Sequence, residues 1–318
     1  MRAIEVARFG GPEVLVPVDA PDPFPGPGQV LLDVTVADTL WLETMVRAGT
    51  GGAHFPVEPP YRPGVGVAGT VFTVGSGVAP QWIGRRVLAR TGHAGGGYAT
   101  RALAAAEGLV PIPDTVEDLA AAAVLHDGVT ALALLDVVPV RAGDRVLVTA
   151  AAGGLGAILV QLARAQGATV VAAARGEAKL QRLRALGADE VVDYSRPGWA
   201  DAVEPVDAVF DGAGGDYGRA AFELVKPGGR FSGHGAPGGG FVAEPDRARA
   251  RGITATGIAD VQLRPERHRA YLGRALAAVA ERRFTPLIGQ VYQLDEAPAA
   301  HRGIEQRTAI GKTLLAVA

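Results

Sequence analysis

Two hydrophobic patterns meet near residue 117 of the chain. Before that point, runs such as Val30-Leu31-Leu32-Asp33-Val34-Thr35-Val36 and Gly69-Thr70-Val71-Phe72-Thr73-Val74 are strand-like and are broken every 8–12 residues by Gly and Pro. Short strand-like runs with that punctuation predict strands joined by tight turns. The segment Pro21-Asp22-Pro23-Phe24-Pro25-Gly26-Pro27-Gly28 is a turn-forming connector, too short for a domain linker. A compact, β-rich, barrel-like domain is the expected product. After residue 117, Ala-rich helices are predicted at 119–124 and 130–137. Strands are then predicted at 146–150, 169–174, 190–193, 207–211, 229–233 and 253–258, with helices at 156–166, 177–186 and 217–225. Strands and helices alternating at these lengths predict a parallel sheet covered on both faces. An amphipathic helix is predicted over 265–283, and the strand-like runs 290–294 and 312–317 are expected to return to the first domain. There is no internal repeat. The fold class is α/β: a doubly wound parallel-sheet domain over 121–262, and a β-rich domain built from 1–120 and 263–318.

Composition narrows what such a chain does. Its 318 residues suit two domains, with 48% hydrophobic and 20% charged residues, an ordinary globular balance. A net charge of −2 supplies no basic field for nucleic acid or a membrane surface. The start, Met1-Arg2-Ala3-Ile4-Glu5-Val6, alternates like a strand and carries Glu5 where a signal peptide would be apolar. No run approaches the roughly 18 apolar residues of a spanning helix, so a soluble cytoplasmic protein is expected. Cysteine is absent, which excludes disulfides, thiolate nucleophiles and Cys-based zinc or iron–sulfur sites. The six histidines, at 54, 93, 126, 234, 268 and 301, form no i,i+4 pair and no His-x-x-Glu-His arrangement. No metal is expected.

The most informative line is Val146-Leu147-Val148-Thr149-Ala150-Ala151-Ala152-Gly153-Gly154-Leu155-Gly156, followed at helical spacing by Ala157-Ile158-Leu159-Val160-Gln161-Leu162-Ala163. A buried strand entering a glycine-rich turn and then a helix lets a dinucleotide's pyrophosphate sit on free backbone N–H groups at the helix N-terminus. The fingerprint's first glycine is replaced by Ala151, while Gly153 and Gly156 hold the positions of closest approach and of helix–strand packing. The next predicted strand ends in Ala172-Ala173-Ala174-Arg175-Gly176, with Lys179 one turn further on. An NAD site places a carboxylate there for the ribose 2′-hydroxyl. An arginine and a lysine instead attract a 2′-phosphate, so NADPH is the expected cofactor.

Gly64-Val65-Gly66-Val67-Ala68-Gly69, five residues to Gly75, and then Val78 keep the spacing of a dehydrogenase signature. With the glycine turn, the run 186–194 (LGADEVVDY), the turn 227–230 (PGGR) and the C-terminal 311–315 (GKTLL), the chain resembles the zinc-independent, zeta-crystallin-like quinone oxidoreductases of the medium-chain dehydrogenase/reductase superfamily. The resemblance runs over nearly the whole chain. It implies a Rossmann domain and a GroES-like domain. In zinc members, a ligand histidine and an acid stand where this chain has Val65 and Gly66, and a ligand cysteine falls near Leu40. Ala152, Gly153, Gly154 and Leu155 are read as the pyrophosphate turn and Arg175 as a 2′-phosphate contact, and the resemblance further implies that Lys179 and Tyr194 hold the adenosine phosphate. It also places Thr130 near the nicotinamide and its phosphates, and makes Gly233-His234-Gly235-Ala236 the loop bordering the nicotinamide.

One loop departs from these relatives. Their Asn-Pro-Val-Asp-Thr aligns here with Leu40-Trp41-Leu42-Glu43-Thr44, leading to Arg47-Ala48-Gly49, which predicts a more apolar pocket. Asp38, Trp41, Met45, Tyr61 and His126 are the candidates to line it; Trp41, Tyr61 and His126 are carried as candidate catalytic residues. Bland alternatives stand beside them: Trp41 and Met45 as one apolar helix face, Tyr61 as packing for its turn, and His126-Asp127 as a capping pair between two helices. His54 and His93 are expected in loops. The expected function is NADPH-dependent, zinc-free hydride transfer to a quinone or an α,β-unsaturated carbonyl compound. The alternatives are an enoyl reductase of a biosynthetic pathway and a non-catalytic NADPH-binding redox sensor. The resemblance implies a homodimer, for which the strand 253–258 offers a sheet edge.

Overall fold

The computed structural model describes residues 1–52, 56–91, 96–261 and 263–317; the loop expectations for His54 and His93 fall outside them. The first of two compact units comprises Met1–His126, Pro265–Arg282 and Ile288–Ala318. Its leading segment supplies β1 (Arg2–Val6), β2 (Leu15–Asp19), β3 (Gln29–Asp38), β4 (Gly66–Val74), β5 (Arg86–Arg90), β6 (Arg101–Ala105) and β7 (Val110–Pro111). Two helices, α1 (Trp41–Arg47) and α2 (Asp118–Val124), belong to the same segment. The sequence boundary at 120 cuts through α2, but this helix packs on β3 and β4 and stays whole within the first unit.

The second unit is Asp127–Arg264 with Arg283–Leu287. It opens with α3 (Asp127–Val137) and then alternates: β8 (Arg145–Thr149), α4 (Gly154–Ala165), β9 (Thr169–Ala174), α5 (Glu177–Ala185), β10 (Glu190–Asp193), β11 (Val206–Asp211), α6 (Gly215–Glu223), β12 (Val225–Gly233), α7 (Pro245–Ala250) and β13 (Thr254–Gly257). All six strands are parallel, in the order β10-β9-β8-β11-β12-β13. The strand order reverses at β8, the switch point at which doubly wound sheets bind dinucleotides. Val146, Leu147 and Val148 of β8 are fully buried, as a strand with helices on both faces requires. Helix α4 buries Ile158, Leu159, Leu162 and Ala163, and ends where Gly167 takes a φ of +85°, a left-handed conformation that glycine adopts without a Cβ penalty.

The chain returns to the first unit through α8 (Pro265–Ala280), β14 (Ile288–Gln293), α9 (Ala297–Glu305) and β15 (Lys312–Ala316). Strand β15 pairs antiparallel with β3 and parallel with β14, giving a seven-stranded sheet ordered β14-β15-β3-β4-β5-β7, with β6 also on β3. The expected return of the two C-terminal strands is therefore what closes this sheet. Its core gathers Ile4, Val30, Leu32, Val67, Val71, Val87, Tyr98 and Leu315. Helices α7 and α9 lie in stretches for which the hydrophobic pattern predicted nothing. The face that α9 buries is made of the small residues Ala297 and Ala300 with His301, which gives little hydrophobic signal in the sequence.

Candidate functional site

In the second unit the glycine turn is held by its own backbone. Ala151 N donates to Ala173 O at 3.1 Å and Gly153 N to Ala150 O at 3.0 Å. The left-handed corner falls on Ala150, with φ +50°, and not on Ala151; an L-residue there costs about 1–2 kcal/mol. Gly153 caps α4 with φ −80° and ψ 171°, and the first-turn amides that follow have no partner within the helix. The two central glycines are glycines for different reasons. A Cβ on Gly156 would meet Ala150 O and Ala151 Cα at 2.7 Å, so helix–strand packing forbids it. A Cβ on Gly153 would touch only Ala150 O, at an ordinary 3.4 Å. The protein's own packing does not demand glycine at 153. Ala152 is buried, and Gly154 and Leu155 form the first turn of α4.

The strand-end cluster lies beside this turn. Ala174 ends β9 and is buried, and the exposed Arg175 donates from Nη2 to the Tyr217 hydroxyl at 3.2 Å. The Tyr217 ring packs on Tyr194 with centroids 4.6 Å apart, and Tyr194 in turn meets Trp199 at 6.3 Å. Lys179 stands half-buried on the first turn of α5. Asp193, at the end of the neighbouring strand, accepts from Ser195 N at 3.0 Å and Ser195 Oγ at 2.6 Å. Those bonds hold its carboxyl below the usual carboxylate range. Arg175, Lys179 and Tyr194 are thus at one corner of the sheet, with Tyr217 as a member that sequence reasoning did not name.

The expected nicotinamide loop also lies at the C-terminal sheet edge. Thr149, Asp211 and Gly233 are register partners across β8, β11 and β12. Thr149 Oγ1 donates to the buried Asp211 at 2.5 Å, and Asp211 also accepts from Ala213 N and Gly214 N. Burial nevertheless pushes the Asp211 carboxyl above its ordinary value. His234 N and Gly235 N both donate to Asp211 O at 3.0 Å, which fixes Gly233, His234, Gly235 and Ala236 against the β11 strand end. The His234 ring is buried, which pushes it down to about 4 and keeps it neutral. A polar residue closing an apolar strand before Gly212-Ala213-Gly214-Gly215 was the signal that could have found Asp211. Thr130 is half-buried on α3, four residues after His126.

The first unit holds the remaining candidates. His126 Nδ1 lies 2.7 Å from Asp38 Oδ2, and Lys312 Nζ lies 2.5 Å from Asp38 Oδ1. Asp38 is wholly buried at the end of β3. Burial pulls its carboxyl upward, but Lys312 and His126 outweigh this and hold it below the usual range. His126 and Asp127 lie where α2 gives way to α3, and the His126 imidazole turns to a carboxylate 88 positions away. Its ring stands 6.3 Å from that of His268, which burial pushes down to about 4. Trp41 opens α1 and Met45 follows one turn later, both half-buried. Tyr61 pairs its backbone with Val6 and packs its ring on the core of the unit. Burial, then the nearby Glu43, pushes its phenol up to about 12.

The loop carrying Trp41 is not simply apolar beneath its surface. Glu43 is buried and accepts from Gly64 N at 2.8 Å, Leu40 N at 2.9 Å and the Tyr98 hydroxyl at 3.0 Å. The Tyr98 hydroxyl also meets His301 Nε2 at 3.0 Å, and the buried Arg47 pairs with Glu305. Burial pushes Glu43 up to about 7 and His301 down to about 3. This network ties α1 to α9, and sequence reasoning missed it because its members are spread from residue 43 to residue 305.

Zinc does not fit. Val65, Gly66 and Leu40 offer no donor side chain, and the chain has no cysteine. Among the described residues no group of three or more His, Cys, Asp or Glu side chains could hold a metal ion. Also among them, no single helix is long and apolar enough to cross a membrane.

Comparisons with known proteins agree with this architecture. Residues 26–114 match the family model for the alcohol dehydrogenase GroES-like domain, and residues 186–315 match that for zinc-binding dehydrogenases. Quinone oxidoreductase from Rattus norvegicus is 32% identical over 326 residues, spanning 99% of this chain and 97% of the relative. A 2-haloacrylate reductase from a Burkholderia species is 34% identical over 254 residues, 77% of this chain and 75% of that one. A mycobacterial protein solved as a complex with NADPH superposes with a TM-score of 0.89 at 33% identity, with both chains fully covered. By its sequence and its fold, the chain belongs to the quinone oxidoreductase branch of the medium-chain dehydrogenase/reductase family.

Proposed function

We propose that this protein is an NADPH-dependent, zinc-free oxidoreductase that passes hydride to a quinone or to an α,β-unsaturated carbonyl compound. The observation that carries the reading is the end of β9, where Arg175 meets the packed Tyr217 and Tyr194 rings and Lys179 follows on the first turn of α5. An exposed guanidinium beside stacked phenol rings suits an adenosine bearing a 2′-phosphate. The cofactor, when bound, supplies the hydride. Ala152, Gly153, Gly154 and Leu155 would seat its pyrophosphate on backbone N–H groups. Thr130 and the Gly233-His234-Gly235-Ala236 loop would orient the nicotinamide, with the neutral, buried His234 adding shape without charge. Trp41 and Met45, half-buried at the start of α1, would offer the acceptor an apolar wall.

The carbon-acceptor half of this reading draws on the 2-haloacrylate named for one relative, an activated alkene. The test is loss of NADPH absorbance with a panel of quinones, enones and enoyl thioesters, repeated with NADH. Turnover preferring NADPH is the expected result; binding of NADPH without turnover of any acceptor would replace the enzyme with a sensor. The reading includes a homodimer paired through the edge strand β13, and sedimentation showing only monomer at micromolar concentration would remove that part.

A further inference from the structure

The arginines near the end of β9 are not held alike. Arg184 of α5 pairs with Glu177, Arg219 of α6 with Asp216, and Arg196, just past β10, with Asp193. Arg175 has no carboxylate partner among the described residues; its guanidinium donates instead to the neutral Tyr217 hydroxyl, at 3.2 Å. A carboxylate would neutralise the charge, whereas a phenol oxygen orients it and leaves it whole for an incoming anion. Tyr217 is itself firmly placed. It stands on the first turn of α6, which follows Gly214 and opens with Gly215, at φ +69° and +56°. A Cβ on Gly214 would run into Gly235 O and Gly240 O, and one on Gly215 into Gly238 O, so the loop after β12 clamps the start of this helix. The Tyr217 ring packs at 4.6 Å on Tyr194, and Tyr194 N donates to Ala174 O at 3.2 Å. The brace is therefore tied to the last residue of β9, one position before Arg175. Ala173 O accepts from Ala151 N, so the same strand end is bonded to the glycine turn. Doubly wound folds that bind dinucleotides meet the ribose 2′ position at the end of this second strand.

We propose that Tyr217 is a positioning residue that sets cofactor specificity: its hydroxyl holds the Arg175 guanidinium where the adenosine 2′-phosphate of NADPH arrives. The inference rests on the function proposed above. An exposed arginine on a free stem loses rotamer freedom when it grips an anion. One already held by a phenol has given up part of that freedom before the ligand arrives, so gripping the phosphate costs less. NADH presents a 2′-hydroxyl at the same place and draws little from a guanidinium charge. Tyr217 therefore acts on the difference between the two cofactors, and it does so through Arg175. The packed Tyr194 and Trp199 rings fix the direction of the phenol. The stack alone does not discriminate, because neutral rings respond to the adenosine that both cofactors share.

The experiment is calorimetric titration of the full chain with NADPH and NADH, and with adenosine 2′,5′-bisphosphate and 5′-AMP, for wild type, Y217F, R175A and R175A/Y217F. Y217F removes the hydroxyl and keeps the ring and its stack, so its melting temperature should stay close to that of wild type. R175A should weaken NADPH binding roughly fivefold or more. Y217F should weaken NADPH and the bisphosphate about threefold, the net worth of one hydrogen bond. It should change NADH and 5′-AMP by no more than about 1.5-fold. In the R175A background the hydroxyl has nothing to hold, so adding Y217F should move no ligand by more than about 1.5-fold; that coupling is what a merely structural role would not produce. Equal losses on NADPH and NADH, NADPH binding unchanged or tightened in Y217F, or a full threefold loss that persists without Arg175 would each overturn the positioning role, while the R175A result keeps the 2′-phosphate assignment standing. An R175A protein that prefers NADPH over NADH as wild type does would overturn that assignment, and this inference with it.

Discussion

Replacing each of the two central glycines of the cofactor turn by alanine should separate folding from ligand binding. At Gly156, the added Cβ lies 2.7 Å from both Ala150 O and Ala151 Cα. Both neighbours are backbone atoms, so the turn and α4 must part by about 0.7 Å to restore an ordinary contact. Overpacking of that kind costs about 1–3 kcal/mol, which lowers the melting temperature by roughly 2–12 °C. At Gly153, the backbone, at φ −80° and ψ 171°, is open to any residue, and the Cβ meets only Ala150 O at 3.4 Å. Alanine is a poorer helix cap than glycine, by roughly 0.5–1 kcal/mol. Its stiffer unfolded chain returns about 0.4–1 kcal/mol, so G153A should melt within about 2 °C of wild type. Its methyl group would nevertheless stand where the pyrophosphate meets the backbone. Losing one charge-assisted hydrogen bond, about 1.5–3 kcal/mol, raises Kd roughly 10- to 150-fold. Fluorescence titration should find that loss for NADPH and NADH alike, because both carry the pyrophosphate. A G153A protein that binds NADPH as wild type does would refute the placement of the cofactor on this turn.

R175A/K179A should weaken NADPH binding tenfold or more and NADH binding less than threefold, since only NADPH carries the 2′-phosphate that the pair would meet; equal losses in the two titrations would count against the assignment. Glu43 is pushed up to about 7 from 4.5, so its contribution to stability is full below the unfolded value and is lost as pH rises through 7. The span corresponds to about 3 kcal/mol, and the melting-temperature difference between wild type and E43Q should shift in favour of E43Q between pH 5 and pH 8; a constant difference would rule the sign out. K312M strands the buried Asp38 carboxylate and should destabilise by about 3–5 kcal/mol. D38L/K312M should recover most of that in chemical denaturation, and a double variant no better than K312M would mean that the pair itself stabilises the fold.

The alternation that fixed the second unit was legible because its central strands β8 and β9 are apolar runs and helices such as α4 and α6 carry an apolar face. Predicted strand 190–193 coincides with β10, and predicted strand 169–174 with β9. Where the apolar face was made of small residues, the prediction stopped. The segment forming α9, Ala297-Pro298-Ala299-Ala300-His301-Arg302-Gly303-Ile304-Glu305, carries one large apolar residue, and its helix is set by tertiary burial of Ala300 and His301. In the candidate site, the glycine turn and the charges of the strand end follow one another in sequence and could be read there. The partner of His126 could not. Asp38 is brought to it by the pairing of β3 with β4 and by α2 packing across both, and no local pattern encodes that distance.

The signature segment serves side-chain networks in this chain. Gly64 N donates to the buried Glu43, and Gly66, which stands where zinc members carry an acid, leaves room for His126. Those networks are not free of cost. Asp38 and Lys312 are almost fully withdrawn from water, and a buried ion pair adds little or nothing to stability beyond a well-packed apolar pair. An interior selected for stability alone would favour apolar residues at 38 and 312. Asp38 also holds the His126 ring through a 2.7 Å contact with Nδ1, and that arrangement is what an apolar substitution would abolish. The buried charge is therefore better accounted for by what it orients than by what it stabilises, and what it orients is the His126 imidazole.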